Sequence, residues 1–190
     1  MKKSLGARTL AFPVPVWVIG TYSADSIPNI MTAAWTGICC SNPPCVNVSV
    51  RPERRSYENI VTHKAFTVNV PSAAFVSQVD YAGIVSGSET DKFKGCGLTS
   101  SASDVVDAPY INEFPLVLEC AVINEMNLGA HTLFVGEIKD VKADAAVLDD
   151  EGSLVVEKIN PFGYIPQLNS YYTTDTLIGK SFDIGKTYMK

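Results

Sequence analysis

The chain has 190 residues, 46% of them hydrophobic and 18% charged, with a net charge of −5. That length suits one domain with a substantial core, and the acidic balance argues against a general nucleic-acid binder, which carries a basic face. No run approaches the ~18 apolar residues of a membrane span.

The opening "MKKSLGARTLAFPVPVWVIG" starts basic and turns apolar, as a signal peptide does. Pro13 and Pro15 break the apolar part and no small-residue cleavage site follows. The segment therefore reads as an arm leading into a first strand, "PVWVIGTY" (15–22). A turn, "SADSIP", comes next. The stretch from Asn29 is extended in character but stripped to small side chains around a single Trp35.

"CVNVSV" (45–50) alternates well, and "AFTVNV" (65–70) is another short strand. Between them, "RRSYENIVTHK" (54–64) predicts a helix with Ser56 as its N-cap. His63 is expected as a favourable last-turn residue of that helix, not a catalytic one. "SAAFVSQVDYAGIVSG" (72–87) predicts a second helix, with Phe75, Val79, Ala82 and Val85 at helical spacing. "SGSETDKFKG" (86–95) reads as a polar loop. Segments 115–128 and 131–143 are strands separated only by Gly129 and Ala130, hence an antiparallel hairpin. "AAVLDDEGSL" continues as a short strand and turn. The expected architecture is one mainly antiparallel β-barrel with two helices on it.

Five cysteines occur, Cys39, Cys40, Cys45, Cys96 and Cys120. The count is odd, with no C-x-x-C pair and no zinc spacing. Free thiols in a reducing cytoplasm are expected. Cys39 and Cys40 are adjacent and can pair only through a strained ring, so two buried thiols are expected there.

Two segments carry possible chemistry. A strand of small residues lets a flat molecule approach its backbone. Met31 to Thr36 would then offer main-chain donors and acceptors, Asn29 an amide, and Trp35 an apolar face with an N–H. Tight strand-on-helix packing explains the same pattern equally well. "VSVRPERRSYENI" then runs a strand into a helix N-terminus through Arg51, Arg54, Arg55 and Ser56. Free helix N–H groups, guanidinium forks and a hydroxyl suit a phosphate; a solvated basic turn is the plainer reading. Arg51 and Ser56 rank first, being nearest the strand end and the cap. A lone Lys92 or Lys94 in the polar loop is compatible with an ordinary surface.

The ordered set PNIMTAAWTGICCSNPP, VNVSVRPERRSYENI, AFTVNVP, SG–DKF and GAHTLFVGEI resembles the flavin reductase-like family, over nearly the whole chain up to "NPFGYIP". The resemblance implies the FMN-binding split β-barrel, a Greek-key barrel that forms a homodimer. It places the flavin ring against Asn29, Met31, Thr32, Ala33, Trp35 and Thr36. It places the phosphate near Arg51 and Ser56, by Ser49 and Val50, with Ser86 and Lys92 nearby. His131 would approach the ring or its ribityl chain, and Tyr164 would cover part of the ring.

The function so implied is FMN-dependent electron transfer or oxidoreduction, with the chemistry on the cofactor and no protein nucleophile. The alternatives are an NAD(P)H-dependent flavin or ferric reductase, and a non-redox FMN storage module. A split-barrel pyridoxamine phosphate oxidase is a further class, but its motifs are not evident. No G-x-G-x-x-G follows a strand, so no Rossmann site for NAD(P)H is expected. The electron donor is expected to be a redox partner protein or NAD(P)H.

Overall fold

The structure, a computed structural model, describes residues 1–174 and 176–189. In chain order the elements are β1 (Val14–Pro15), β2 (Trp17–Tyr22), β3 (Pro28–Ala33), β4 (Thr36–Ser41), β5 (Pro44–Val50) and α1 (Arg55–His63). Then come β6 (Ala65–Val70), α2 (Val76–Ile84), α3 (Lys92–Cys96), β7 (Ser100–Ala102) and β8 (Pro109–Ile111). The chain closes with β9 (Leu116–Asn127), β10 (Thr132–Ala143), α4 (Val156–Ile159), β11 (Phe162–Ile165) and β12 (Ser170–Thr173).

Seven strands form one antiparallel sheet in the order β3-β2-β6-β9-β10-β5-β4. Its two edges, β3 and β4, are consecutive in the chain and joined only by Ala34 and Trp35. Two residues cannot span an open seven-stranded sheet, where neighbouring strands lie about 4.8 Å apart. The sheet therefore curls until β3 comes against β5, and Ser49 N donates to Trp35 O at 2.9 Å, extending the β4–β5 pairing up to the turn. The result is a split barrel with a gap beside β3.

Alternation on β2 and β3 serves two cores. Ile19 and Met31 face the barrel interior with Val46, Val48, Phe66 and Phe134. Val18 and Ile30 face outward into a second layer with Val79 and Ala82 of α2, Phe93 of α3 and Phe162 of β11. Both strands are thus buried on both faces, and the small side chains of β3 accommodate helix packing as well as leaving backbone near the cleft. Thr32 makes the point: its hydroxyl donates to Val79 O at 2.5 Å, away from the barrel.

Several expectations change. The small-residue stretch is not one wall from Asn29 to Thr36; it turns at Ala34–Trp35, and β4 runs off as an edge strand. Cys39 and Cys40 are exposed, not buried, because edge strand β4 has no neighbour on one side and little cover. Ser56 is not the N-cap of α1. Arg54 is, with extended backbone and no side-chain cap bond, while Ser56 is buried in the first turn. The second helix is shorter than 72–87: a 3₁₀ turn (Ala73–Phe75) leads into α2. Ser72 accepts from Ala74 N at its start, and Val85 leaves helical geometry at its end. The polar loop at 86–95 contains α3, whose cap is Asp91, accepting from Lys94 N at 3.1 Å. The segment at 145–154 forms a 3₁₀ turn (Ala145–Val147) and a single bridge, Leu148 to Leu154, in place of a strand. The 115–128 and 131–143 hairpin is present as β9 and β10, turned at Gly129 with φ +97°, where a side chain would be strained. His63 closes α1, with Nδ1 2.7 Å from Asp107 and Nε2 2.9 Å from Ser23 O.

Among the described residues no helix is long and apolar enough to cross a membrane.

Candidate functional site

Two cavities open along the barrel gap. One, about 420 Å³, is lined by Asn29, Arg51, Arg54, Arg55, Ser56 and Lys92, with Met31, Glu53 and the Val85–Gly87 turn. The other, about 240 Å³, is lined by Met31 to Trp35, Ser49 to Arg51, Arg54, His131 and Tyr164. They share Met31, Arg51 and Arg54, so they form one cleft with a cationic end and a flatter end. Ligand sites commonly occupy about 300–1,000 Å³.

The cationic end is built on the start of α1. The first turn of a helix leaves N–H groups without intrahelical partners, and here no side chain caps them. Arg51 sits at the end of β5, where the chain leaves the barrel, and its guanidinium reaches Glu53 at 3.5 Å. Arg55 reaches Glu58 at 3.5 Å. Both pairs are long and exposed, so they hold their guanidinium groups weakly. Lys92 is buried, and its ammonium donates to Ala82 O at 2.7 Å. Burial, followed by the nearby charge of Arg54, pushes its pKa down to about 8.

A buried polar knot fixes this end to the barrel. Asn29 donates through Nδ2 to Ser56 Oγ at 2.9 Å and, more weakly, to Thr21 Oγ1 at 3.5 Å. Asn59 donates to the same Thr21 hydroxyl at 3.0 Å. Gly87 packs so closely on Asn29 that a Cβ there would collide with its Oδ1.

The flatter end is bounded by β3, the Ala34–Trp35 turn and the end of β5. Trp35 is partly exposed at the rim. Tyr164, on β11, donates to Asn169 Oδ1 at 2.8 Å and lies 5.5 Å from the Tyr171 ring. Tyr171 is itself anchored to Asp80 Oδ1 at 2.7 Å, and its burial raises its phenol pKa. His131 follows the hairpin turn, where its carbonyl accepts from Leu128 N at 2.8 Å.

The cleft therefore gathers Asn29, Met31, Thr32, Ala33, Trp35, Ser49, Val50, Arg51, Ser56, Ser86, Lys92, His131 and Tyr164. Thr36 lies outside its lining; its hydroxyl donates to Asn47 O at 2.5 Å. Arg54 lines both cavities, more centrally than its rank in the sequence suggested, and Arg55 lines the cationic one. The "RPERR" run was the visible signal for both. Gly87 carried no such signal. The donor set fits a phosphorylated flavin: cations and free helix N–H groups at one end, backbone and aromatic surface at the other. Among the described residues no cluster of His, Cys, Asp or Glu could hold a metal ion.

A family model described as a flavin reductase-like domain matches residues 8–163. The structure is similar to flavoredoxin of Desulfovibrio vulgaris (Miyazaki F), with 48% identity and a TM-score of 0.92, covering 98% of this chain and 100% of that one. It is also similar to flavoredoxin from Methanosarcina acetivorans, with 28% identity and a TM-score of 0.89, covering 99% of this chain and all of the other. An uncharacterized protein of Archaeoglobus fulgidus is 32% identical over 171 residues, 90% of this chain and 88% of its own length. With a matching model over most of its length, and a cleft formed by the segments that carried the resemblance, the chain belongs to the flavin reductase-like domain family.

Proposed function

We propose that the cleft binds FMN and that the protein is an electron-transfer flavoprotein of the flavoredoxin type. One observation carries this reading: a cavity with three arginines, a buried lysine and an uncapped helix start runs directly into a second cavity walled by small-residue backbone. The similarity to two flavoredoxins supports it.

Bound FMN supplies the redox chemistry. The chain's part is to bind and orient. Arg51, Arg54, Lys92 and the first N–H groups of α1 hold the phosphate, with Ser86 at the rim. Ser56, whose hydroxyl already accepts from Asn29, positions the helix start. The backbone of Met31 to Trp35 offers hydrogen bonds along one ring edge, and Tyr164 and His131 limit solvent access.

The working unit is a homodimer. Leu177, Ile178, Phe182, Ile184, Tyr188 and Met189 are all strongly exposed on the single chain, more apolar surface than a monomer ordinarily leaves in water. Five free thiols suit the cytoplasm. Direct reduction by NAD(P)H, as a flavin or ferric reductase, and FMN storage are the competing roles.

Anaerobic titration of the purified yellow protein tests the proposal. Bound FMN that bleaches with a small reduced redox protein supports it. A colourless protein that takes up no added FMN overturns it.

A further inference from the structure

The β4–β5 hairpin lies outside the cleft and holds three of the five cysteines. Ile38 pairs with Val46, and the next pair is Cys40 with Cys45, so the register shifts by one residue at Cys39. This is a β-bulge: two residues of one strand stand opposite one of the other. Cys39 and Cys40 are exposed, and Cys45 is buried beneath them. The Cys45 thiol donates to Pro43 O at 3.3 Å. Directly opposed residues on antiparallel strands have Cα atoms about 4.5–5.5 Å apart, inside the range of about 4.4–6.8 Å that a disulfide bridges. The strained ring between sequence neighbours is therefore not needed, because the bulge supplies Cys40 with a cross-strand partner.

We propose that Cys40 and Cys45 form a thiol–disulfide exchange site for low-molecular-weight disulfides. The thiolate of Cys40, exposed on the edge strand, attacks one sulfur of a disulfide RSSR. The S–S bond breaks, RS⁻ leaves and takes a proton to become RSH, and Cys40 carries the mixed disulfide. Cys45 then gives its proton to water and attacks Cys40 Sγ, and the second RS⁻ leaves. Two protein thiols are oxidised by two electrons, and one RSSR becomes two RSH. Cys39, the extra residue of the bulge, takes no part.

Burial and the two neighbouring thiols raise the Cys45 pKa. The second step is therefore the slower one at neutral pH, and it accelerates by up to about tenfold per pH unit as the thiolate fraction grows.

The test incubates the flavin-loaded protein with glutathione disulfide, quenches with an alkylating agent and reads intact and fragment masses. Wild type should lose the mass of two hydrogens, with Cys40 and Cys45 both protected. Cys39→Ser should behave the same. Cys45→Ser should retain the glutathione adduct on Cys40 at least about tenfold longer, and Cys40→Ser should form no internal bond. Cys45→Ala, checked by circular dichroism, covers the case in which a buried serine disturbs the fold. A wild-type protein that stays unreacted, stops at the adduct, links Cys39 to Cys40 or forms a covalent dimer overturns the proposal.

Discussion

Asn29 on β3 donates to Ser56 Oγ on α1 at 2.9 Å, although the two are 27 residues apart in the chain. This bond locks the wall of the cleft to the helix start that forms its cationic end. Both residues are buried at the base of the cleft. Asn29→Ala leaves the Ser56 hydroxyl without its donor, while Thr21 keeps Asn59, and should cost about 1–3 kcal/mol of stability. Urea unfolding of the apoprotein checks this. An unchanged midpoint would remove the bond from the account.

Arg51→Ala should weaken FMN binding by about tenfold or more while hardly changing riboflavin affinity. One charge-assisted contact contributes about 1.5–3 kcal/mol, and a tenfold change is about 1.4 kcal/mol. Arg54, shared by both cavities, should behave alike if it holds the phosphate. Fluorescence titration with both flavins measures the ratio, and equal losses for the two ligands would exclude a phosphate role.

Lys92 makes phosphate binding depend on pH. Its folded pKa lies at about 8, below the ordinary lysine value of ~10.4. The native state thus favours the neutral amine as pH rises past 8, whereas an anion needs the ammonium. FMN affinity should fall above pH 8, and binding between about pH 8 and 10 should take up a proton. Calorimetry in buffers of different ionisation enthalpy counts that proton. In Lys92→Met the uptake should vanish; its persistence there would assign it to another group.

Sedimentation should give a dimer at micromolar protein. Obligate interfaces commonly bury more than about 2,000 Å². Deletion of residues 177–190, which carry Leu177, Ile178 and Phe182, should shift the equilibrium toward monomer. A wild-type monomer with FMN bound would reject the pairing.

Electrons should enter faster from a small redox protein than from NADH or NADPH. The protein's net charge of −5 opposes a polyanionic nucleotide, and a protein donor needs only an exposed ring edge. Anaerobic stopped-flow at the flavin band decides the matter. Rapid, saturable bleaching by either nucleotide would make the chain an NAD(P)H-dependent reductase.

Sequence alone determined the features that local chemistry dictates. Alternation marked β5, Gly129 marked the long hairpin, and the "RPERR" run at a strand-to-helix junction marked a cationic end. These signals are legible because side-chain period, turn geometry and charge density act over a few residues. Only the tertiary structure decided what distance along the chain conceals. The stretch after Asn29 folds back at Ala34–Trp35 because the sheet curls to bring β3 against β5, a constraint set by the order of seven strands. Ser56 is a buried partner of Asn29 and not a cap, since the fold brings β3 beneath α1. Cys40 finds Cys45 because one residue of bulge resets the register; in the sequence the nearest thiol was Cys39. Each of these depends on non-local pairing, which no window of neighbouring residues contains.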